Sequence, residues 1–288
     1  MTISELRNRR FFQLSDFAEG FFDRVIDLPR WKLLADRFDA FQALSEQRTP
    51  RSIPHRIHQI WLGGALPSKY VRWTESWKSN HRSWEYRLWE EKAILRFGLV
   101  NERAFRSSPS FGAKSDIARY EILERLGGIY ADTDFECLQP FDEIVECCSF
   151  VAATIFRDSP EINNGLMGCV PGHPLVKRLI MGLGKPIRTT NGMTVLRKSG
   201  PHYLTERFFE SAESLDTEDV ILPSSFFYPL PNFARMEGAT EEDKKKYARE
   251  WSLAIHFWET SWLPPHPLRV ILSKLKRKVL GRALGKVR

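Results

Sequence analysis

Residues 127–136 read Gly127-Gly128-Ile129-Tyr130-Ala131-Asp132-Thr133-Asp134-Phe135-Glu136, and no other run constrains the chain as tightly. A glycine pair stops a helical pattern, a short apolar strand follows, and two aspartates arrive one residue apart. The i, i+2 spacing at a strand end sends both carboxylates to one side of the backbone. Two carboxylates forced together repel each other unless a cation lies between them. Hard oxygen ligands suit Mg²⁺ or Mn²⁺, ions that keep open positions for a diphosphate. A metal-held nucleotide is therefore expected here.

Alternating strand and helix signals from residue 53 to about 180 predict an α/β sheet with helices on its faces. Residues 57–62 form a compact β-type run closed by Gly63-Gly64, and residues 84–89 a second strand. Helices are expected around 70–80, over 90–106 and over 114–126, with Gly127-Gly128 as the stop of the last. Ligands of such sheets bind beyond the carboxyl ends of strands. Both Trp61-Leu62-Gly63-Gly64 and Asp132-Thr133-Asp134 lie at such ends. The organisation expected is a helical N-terminal cap over 1–50, with Pro29 separating its helices, a catalytic domain over 51–265 and a basic tail over 266–288.

Charge separates the tail from the body. Residues 269–288 hold eight basic and no acidic residues, whereas the rest of the chain has 35 basic against 36 acidic. A nucleic-acid-binding domain carries its positive charge on the folded body, so no nucleic-acid partner is expected. Val270, Ile271, Leu275, Val279, Leu280 and Leu284 are interleaved with those charges, the pattern of an amphipathic helix lying on an anionic membrane surface. The first ten residues are polar, no stretch of 18 apolar residues occurs, and Cys137, Cys147, Cys148 and Cys169 have neither zinc-ligand nor disulfide spacing. A cytoplasmic protein, peripheral at the inner face of the membrane, is the expectation.

A DxD by itself is a weak signal, because Asp is common in turns. A phosphatase of the haloacid-dehalogenase type also places DxD at a strand end, but it wants Thr or Val where this chain has Glu136. The wider pattern is more specific. Ala113-Lys114-Ser115-Asp116-Ile117-Ala118-Arg119-Tyr120 followed by Leu126 to Asp134 resembles the family 32 glycosyltransferases with a "sugar-binding region containing DxD", and is similar to the catalytic core of large bacterial glucosylating toxins. Further matches, in order, are Ile53-Pro54 through Trp61, Asn164-Gly165 with Pro171-Gly172-His173-Pro174, Gly200-Pro201, and Ile255 to Trp258 with Ser261-Trp262.

The resemblance implies a GT-A fold, a Mn²⁺ or Mg²⁺ ion, a nucleotide-sugar donor (UDP-hexose expected ahead of GDP-hexose) and retention of anomeric configuration. It implies that Trp61 stacks on the base, and that Asp116 and Arg119 hold the donor sugar and phosphate. Asp132 would contact ribose or sugar hydroxyls and reach the metal, with Asp134 the main ligand and His256 a further one. Trp258, Ser261 and Trp262 would close a loop over the diphosphate, and Asn164 would face the reacting side of the sugar. His58 and Gln59 receive no task. The expected partner is a glycan or lipid-linked acceptor, as in capsule, O-antigen or another envelope polysaccharide. An effector that glycosylates a host protein, or a non-catalytic nucleotide-sugar or membrane-surface binding module, is the alternative.

Overall fold

The computed structural model describes residues 10–15, 25–44, 52–155, 159–232 and 240–259. The 266–288 tail, with Ser261 and Trp262, lies outside them. Six strands form the main sheet, namely β1 (Arg56–Ile60), β2 (Glu85–Trp89), β3 (Gly128–Ala131), β5 (Phe150–Thr154), β6 (Ile162–Cys169) and β7 (Asp219–Leu222). Their order is β2-β1-β3-β6-β5-β7. Strands β1, β2 and β3 run parallel, β6 runs against both β3 and β5, and β7 runs parallel to β5. One edge thus collects the carboxyl ends of β1, β2, β3, β5 and β7 together with the amino end of β6. The sheet is mixed rather than purely parallel, and helices flank it as expected. Strands β3, β5, β6 and β7 are buried throughout, as strands covered on both faces must be. Edge strand β2 instead alternates between exposed and half-buried residues until Trp89.

The glycine pair earns its place at the helix-to-strand junction. Ser110 caps helix Phe111–Leu126 by accepting from the Ala113 amide, and Gly127, at φ 63°, ends it with an N–H bond to Leu123 O at 2.8 Å. A Cβ on Gly127 would stand 2.6 Å from Pro171 Cδ and 2.9 Å from Cys169 O, and one on Gly128, at φ 99°, would stand 2.7 Å from Arg56 O. Only glycine meets both demands.

The expected helix over 90–106 is two helices, Glu91–Phe97 and Glu102–Ser107, because Gly98 at φ 77° turns the chain between them. Pro29 does not separate two helices: it lies in the first turn of Asp27–Leu44, where a missing N–H breaks no helical bond. Trp31, Leu34, Phe38 and Phe41 of that helix join the same hydrophobic cluster as the sheet. Arg37 donates to Asp219 O at 3.2 Å, tying the helix to β7. No helix among the described residues is long and apolar enough to cross a membrane.

A second, two-stranded sheet positions the chemistry. Strand β4 (Phe135–Cys137) pairs antiparallel with β8 (Ala254–His256), with Phe135 opposite His256. Helix Ser68–Asn80 covers β4, where Trp77 Nε1 donates to Phe135 O at 3.0 Å.

Candidate active site

Asp132 and Asp134 occupy a turn between β3 and β4 rather than a continuing strand. The alternation argument for their common side therefore does not apply, yet turn and register still bring them together. Carboxylate oxygens of Asp132 and Asp134 and a ring nitrogen of His256 all lie within 4.8 Å of one another. The Asp132 amide donates to Gly165 O at 2.7 Å, and Gln59 Nε2 donates to Asp132 O at 3.2 Å, so the turn is anchored on both neighbouring strands.

His256 Nε2 shares a 3.1 Å hydrogen bond with Asp134 Oδ1, and the Glu259 amide donates to Asp134 Oδ2 at 2.8 Å. The imidazole stacks on Phe135, with ring centres 4.3 Å apart and planes within 6°, and the tilted Trp258 ring has its centre 4.1 Å away. Its Nδ1 is buried and has no hydrogen-bond partner. Trp258 sits at φ 57°, a left-handed conformation that costs a non-glycine residue about 1–2 kcal/mol. Its Nε1 donates to Leu230 O at 2.7 Å, which holds the strained residue against His256.

Behind the aspartates lies a buried ionic network. Arg119 comes within 3.0 Å of Asp132 Oδ1 and 3.4 Å of Asp116 Oδ1, donates to Asn164 O at 2.6 Å, and lies 4.4 Å over the Tyr130 ring. Burial works against the guanidinium charge, but Asp132, Tyr130 and Asp116 outweigh it and hold its pKa above the usual value. Burial raises the Asp132 carboxyl, with Asp134 pushing the same way and Arg119 opposing, while Tyr130 Oη donates to Asp132 Oδ1 at 2.7 Å. Burial likewise raises Asp116 against the pull of Arg119. Both Asp116 oxygens are engaged, Oδ1 by Asn164 Nδ2 at 2.8 Å and Oδ2 by Ser199 Oγ at 2.7 Å.

Asn164 is buried, and its amide also donates to Tyr120 Oη at 2.8 Å. It holds Asp116 and Arg119 in place rather than facing an open sugar pocket. Arg119 similarly spends its N–H groups on Ser115 O, Asn164 O and Asp132. Trp61 is half-buried just beyond β1, 4.9 Å from the Tyr70 ring, and its buried Nε1 has no hydrogen-bond partner. His58 is structural: its ring bonds Gly127 O at 3.0 Å and accepts from Trp89 Nε1 at 3.2 Å, and burial lowers its pKa to about 4.

Sequence reasoning passed over Tyr120, Tyr130 and Ser199, all of which buttress the carboxylates. Tyr130 carried a readable signal, since it lies two residues before Asp132 on a strand. Ser199 carried none, because only the tertiary fold brings it to Asp116. Gly165 was noted only as part of a motif. A Cβ there would stand 2.9 Å from Asp132 Oδ2 and 3.0 Å from Asn163 Oδ1.

The carboxyl edge of a mixed α/β sheet thus carries a paired-aspartate turn, a histidine and a buried arginine, a set of groups able to hold a divalent cation and an anionic ligand. Residues 67–150, which include both aspartates, match the family model "Glycosyltransferase sugar-binding region containing DXD motif". Over that segment the chain is similar to the DXD-containing glycosyltransferases. Inositol phosphoceramide mannosyltransferase 1 of Schizosaccharomyces pombe is 28% identical over 191 residues, 62% of this chain and 59% of that protein. Inositol phosphoceramide mannosyltransferase 3 of the same yeast is 30% identical over 161 residues, 54% of this chain and 44% of that protein. The chain thus spans about half the length of these curated relatives. Among solved structures, the catalytic domain of alpha-toxin from Clostridium novyi aligns over 85% of this chain and 87% of that one, with 9% identity and a TM-score of 0.49.

Proposed function

We propose that the protein transfers a hexose, with retention, from a nucleotide diphosphate sugar to a hydroxyl of a glycan or lipid-linked acceptor, using a divalent cation. The observation that carries this reading is the convergence of Asp132, Asp134 and His256 within 4.8 Å. The donor set fits a cation: two carboxylates that otherwise repel, and an imidazole with a buried, unpartnered Nδ1. A nitrogen ligand beside carboxylates suits Mn²⁺ better than Mg²⁺. When bound, the ion would act as a Lewis acid on the leaving diphosphate.

The remaining work falls to the chain itself. Trp61, on the β1 side, supplies a stacking face for the base, a contact worth ~1–3 kcal/mol. Asp132, kept in one orientation by Tyr130 and Arg119, is placed to accept from a ribose or sugar hydroxyl. Arg119 contributes a fixed positive field near the leaving phosphate, although its N–H groups are spent on the protein. Asp116 is a poor nucleophile with both oxygens engaged, which favours same-face attack. In that route the acceptor oxygen bonds to the anomeric carbon as the phosphate departs with its electron pair, and a phosphate oxygen takes the acceptor's proton.

The mannosyltransferase names of the relatives make mannose the first sugar to test and a lipid headgroup an acceptor to set beside envelope polysaccharides. The basic stretch 269–288 would bring the chain to the inner face of a membrane carrying such an acceptor. The deciding experiment is Mn²⁺-dependent thermal stabilisation against a panel of UDP- and GDP-hexoses, with donor hydrolysis as second readout. A ligand at 100 times its Kd adds ~2.7 kcal/mol. No shift and no hydrolysis with any donor overturns the proposal.

A further inference from the structure

The sheet edge orders the site. Trp61 follows β1, Asp132 follows the next strand, β3, and Asn164 belongs to β6 beyond it. With the base on Trp61 and the diphosphate at Asp132 and Asp134, the sugar and its acceptor must lie towards β6. Glu161 stands there, immediately before β6 and three residues from Asn164, with its backbone carbonyl accepting from Ile155 N at 3.0 Å.

Glu161 is an unusual carboxylate. Its side chain is only 14% exposed, and among the described residues the basic side chain beside it is His202, with Nδ1 3.7 Å from Oε2. Among the described residues no hydrogen bond reaches its carboxylate. Burial alone raises its pKa to about 7. A largely buried carboxyl beside a single imidazole leaves acceptor capacity that a ligand hydroxyl can use. The position is rigid: Ile162 N donates to Thr205 Oγ1 at 2.9 Å, and Thr205 Oγ1 also bonds Pro201 O at 2.8 Å, stapling β6 to helix Pro201–Glu210, which carries His202. The segment leading into that helix holds Ser199, bonded to Asp116. Glu161 directly precedes β6, three residues before Asn164, and His202 follows Ser199 by three residues, so both belong to the β6 side of the sheet edge, beyond β1 and β3 in the strand order. Burial, with Arg197 adding to it and Glu206 opposing, lowers the His202 pKa, so its imidazole is neutral near pH 7 and can donate and accept at once.

We infer that Glu161 and His202 form the acceptor subsite, hydrogen-bonding adjacent hydroxyls of a polyol (a sugar or cyclitol headgroup) so that one of them faces the anomeric carbon. A carboxylate and a neutral imidazole together offer the acceptors and the donor that a hydroxyl pair requires. Phosphate-rich or purely apolar acceptors find no complement in this pair. The inference rests on the glycosyltransferase reading, and the experiment separates the two.

The full chain, with Mn²⁺ and the nucleotide hexose that it cleaves fastest, is given methyl α-mannoside or myo-inositol, and transfer is measured per donor cleaved. In Glu161→Gln and in His202→Ala this ratio should fall about tenfold, with the acceptor KM raised and the donor KM unchanged. His202 is 39% exposed, so its variant gives a second, independent test with little effect on the fold. Unchanged ratios in both variants, or donor and acceptor KM rising together, overturn the acceptor subsite. Wild-type protein that cleaves its donor but glycosylates neither polyol also counts against it. Wild-type protein that cleaves no nucleotide sugar fails the parent reading, and the subsite with it.

Discussion

His256 Nε2 lies 3.1 Å from Asp134 Oδ1 although 122 residues separate the two in the chain. The β4–β8 pairing creates this contact by setting Phe135 opposite His256. The last described segment thereby becomes part of the aspartate turn: Phe257 N donates to Asp134 O at 3.0 Å, and Lys69 pairs with Glu259 at 2.7 Å. Replacing Asp134 with Ala should lower Mn²⁺ affinity at least ~100-fold and abolish transfer. Circular dichroism should remain that of the wild type. Undiminished transfer by the purified variant would sink the assignment.

Gly165→Ala tests the geometry without removing a ligand. The added methyl would press on Asp132 Oδ2, which Tyr130 and Arg119 prevent from swinging freely. Mn²⁺ affinity is expected to fall ~10-fold with the fold preserved. Calorimetric titration of wild type and variant with Mn²⁺ gives the answer, and equal affinities would mean that Asp132 is not held as described.

Arg119→Ala leaves the buried Asp116, and the part-exposed Asp132 beside it, without their counter-ion. Breaking such a pair costs ~3–5 kcal/mol. That corresponds to a melting temperature lowered by about 10 °C. A scan showing a change within 2 °C, a threshold of roughly 1 kcal/mol, would contradict the network.

Stability should also report the Glu161 proton. Burial raises the folded-state pKa to about 7, above the ordinary glutamate value of 4.5. The folded protein therefore holds the proton more tightly than the unfolded chain, and this contribution is fully present below pH 4.5. It is lost as pH rises towards 7, leaving a cost on the order of 3 kcal/mol above that. Glu161→Gln should match wild type at pH 4 and exceed it at pH 8 in urea denaturation. Parallel stability curves across that range would refute the shift.

The basic tail makes a separate prediction. The intact chain should cosediment with vesicles containing phosphatidylserine, and binding should weaken as salt screens the charges. A chain ending at residue 268 should stay in the supernatant. Equal binding by both would remove the membrane from the account.

Local sequence was sufficient wherever the physics is local. The glycine pair marked the helix stop and strand start because a left-handed backbone with no room for Cβ admits only glycine. Strand runs around 57–62 and 84–89 and the helix ending at Leu126 were legible from periodicity and from Gly127 as a stop. The Asp132–Asp134 pair was legible from its spacing, although a turn rather than strand alternation brings the carboxylates together.

What the sequence by itself determined is the set of charged and aromatic residues at the ends of β1 and β3, together with the glycines that shape the approach to them. The tertiary structure decided their contacts. Antiparallel insertion of β6 beside β3 turned Asn164 inwards as a brace and set Glu161 at the amino end of β6. The β4–β8 pairing brought His256 to Asp134, and the loop before helix Pro201–Glu210 delivered Ser199 to Asp116. These contacts join residues tens to more than a hundred positions apart, and long-range pairing follows from the closure of the whole core rather than from any local preference.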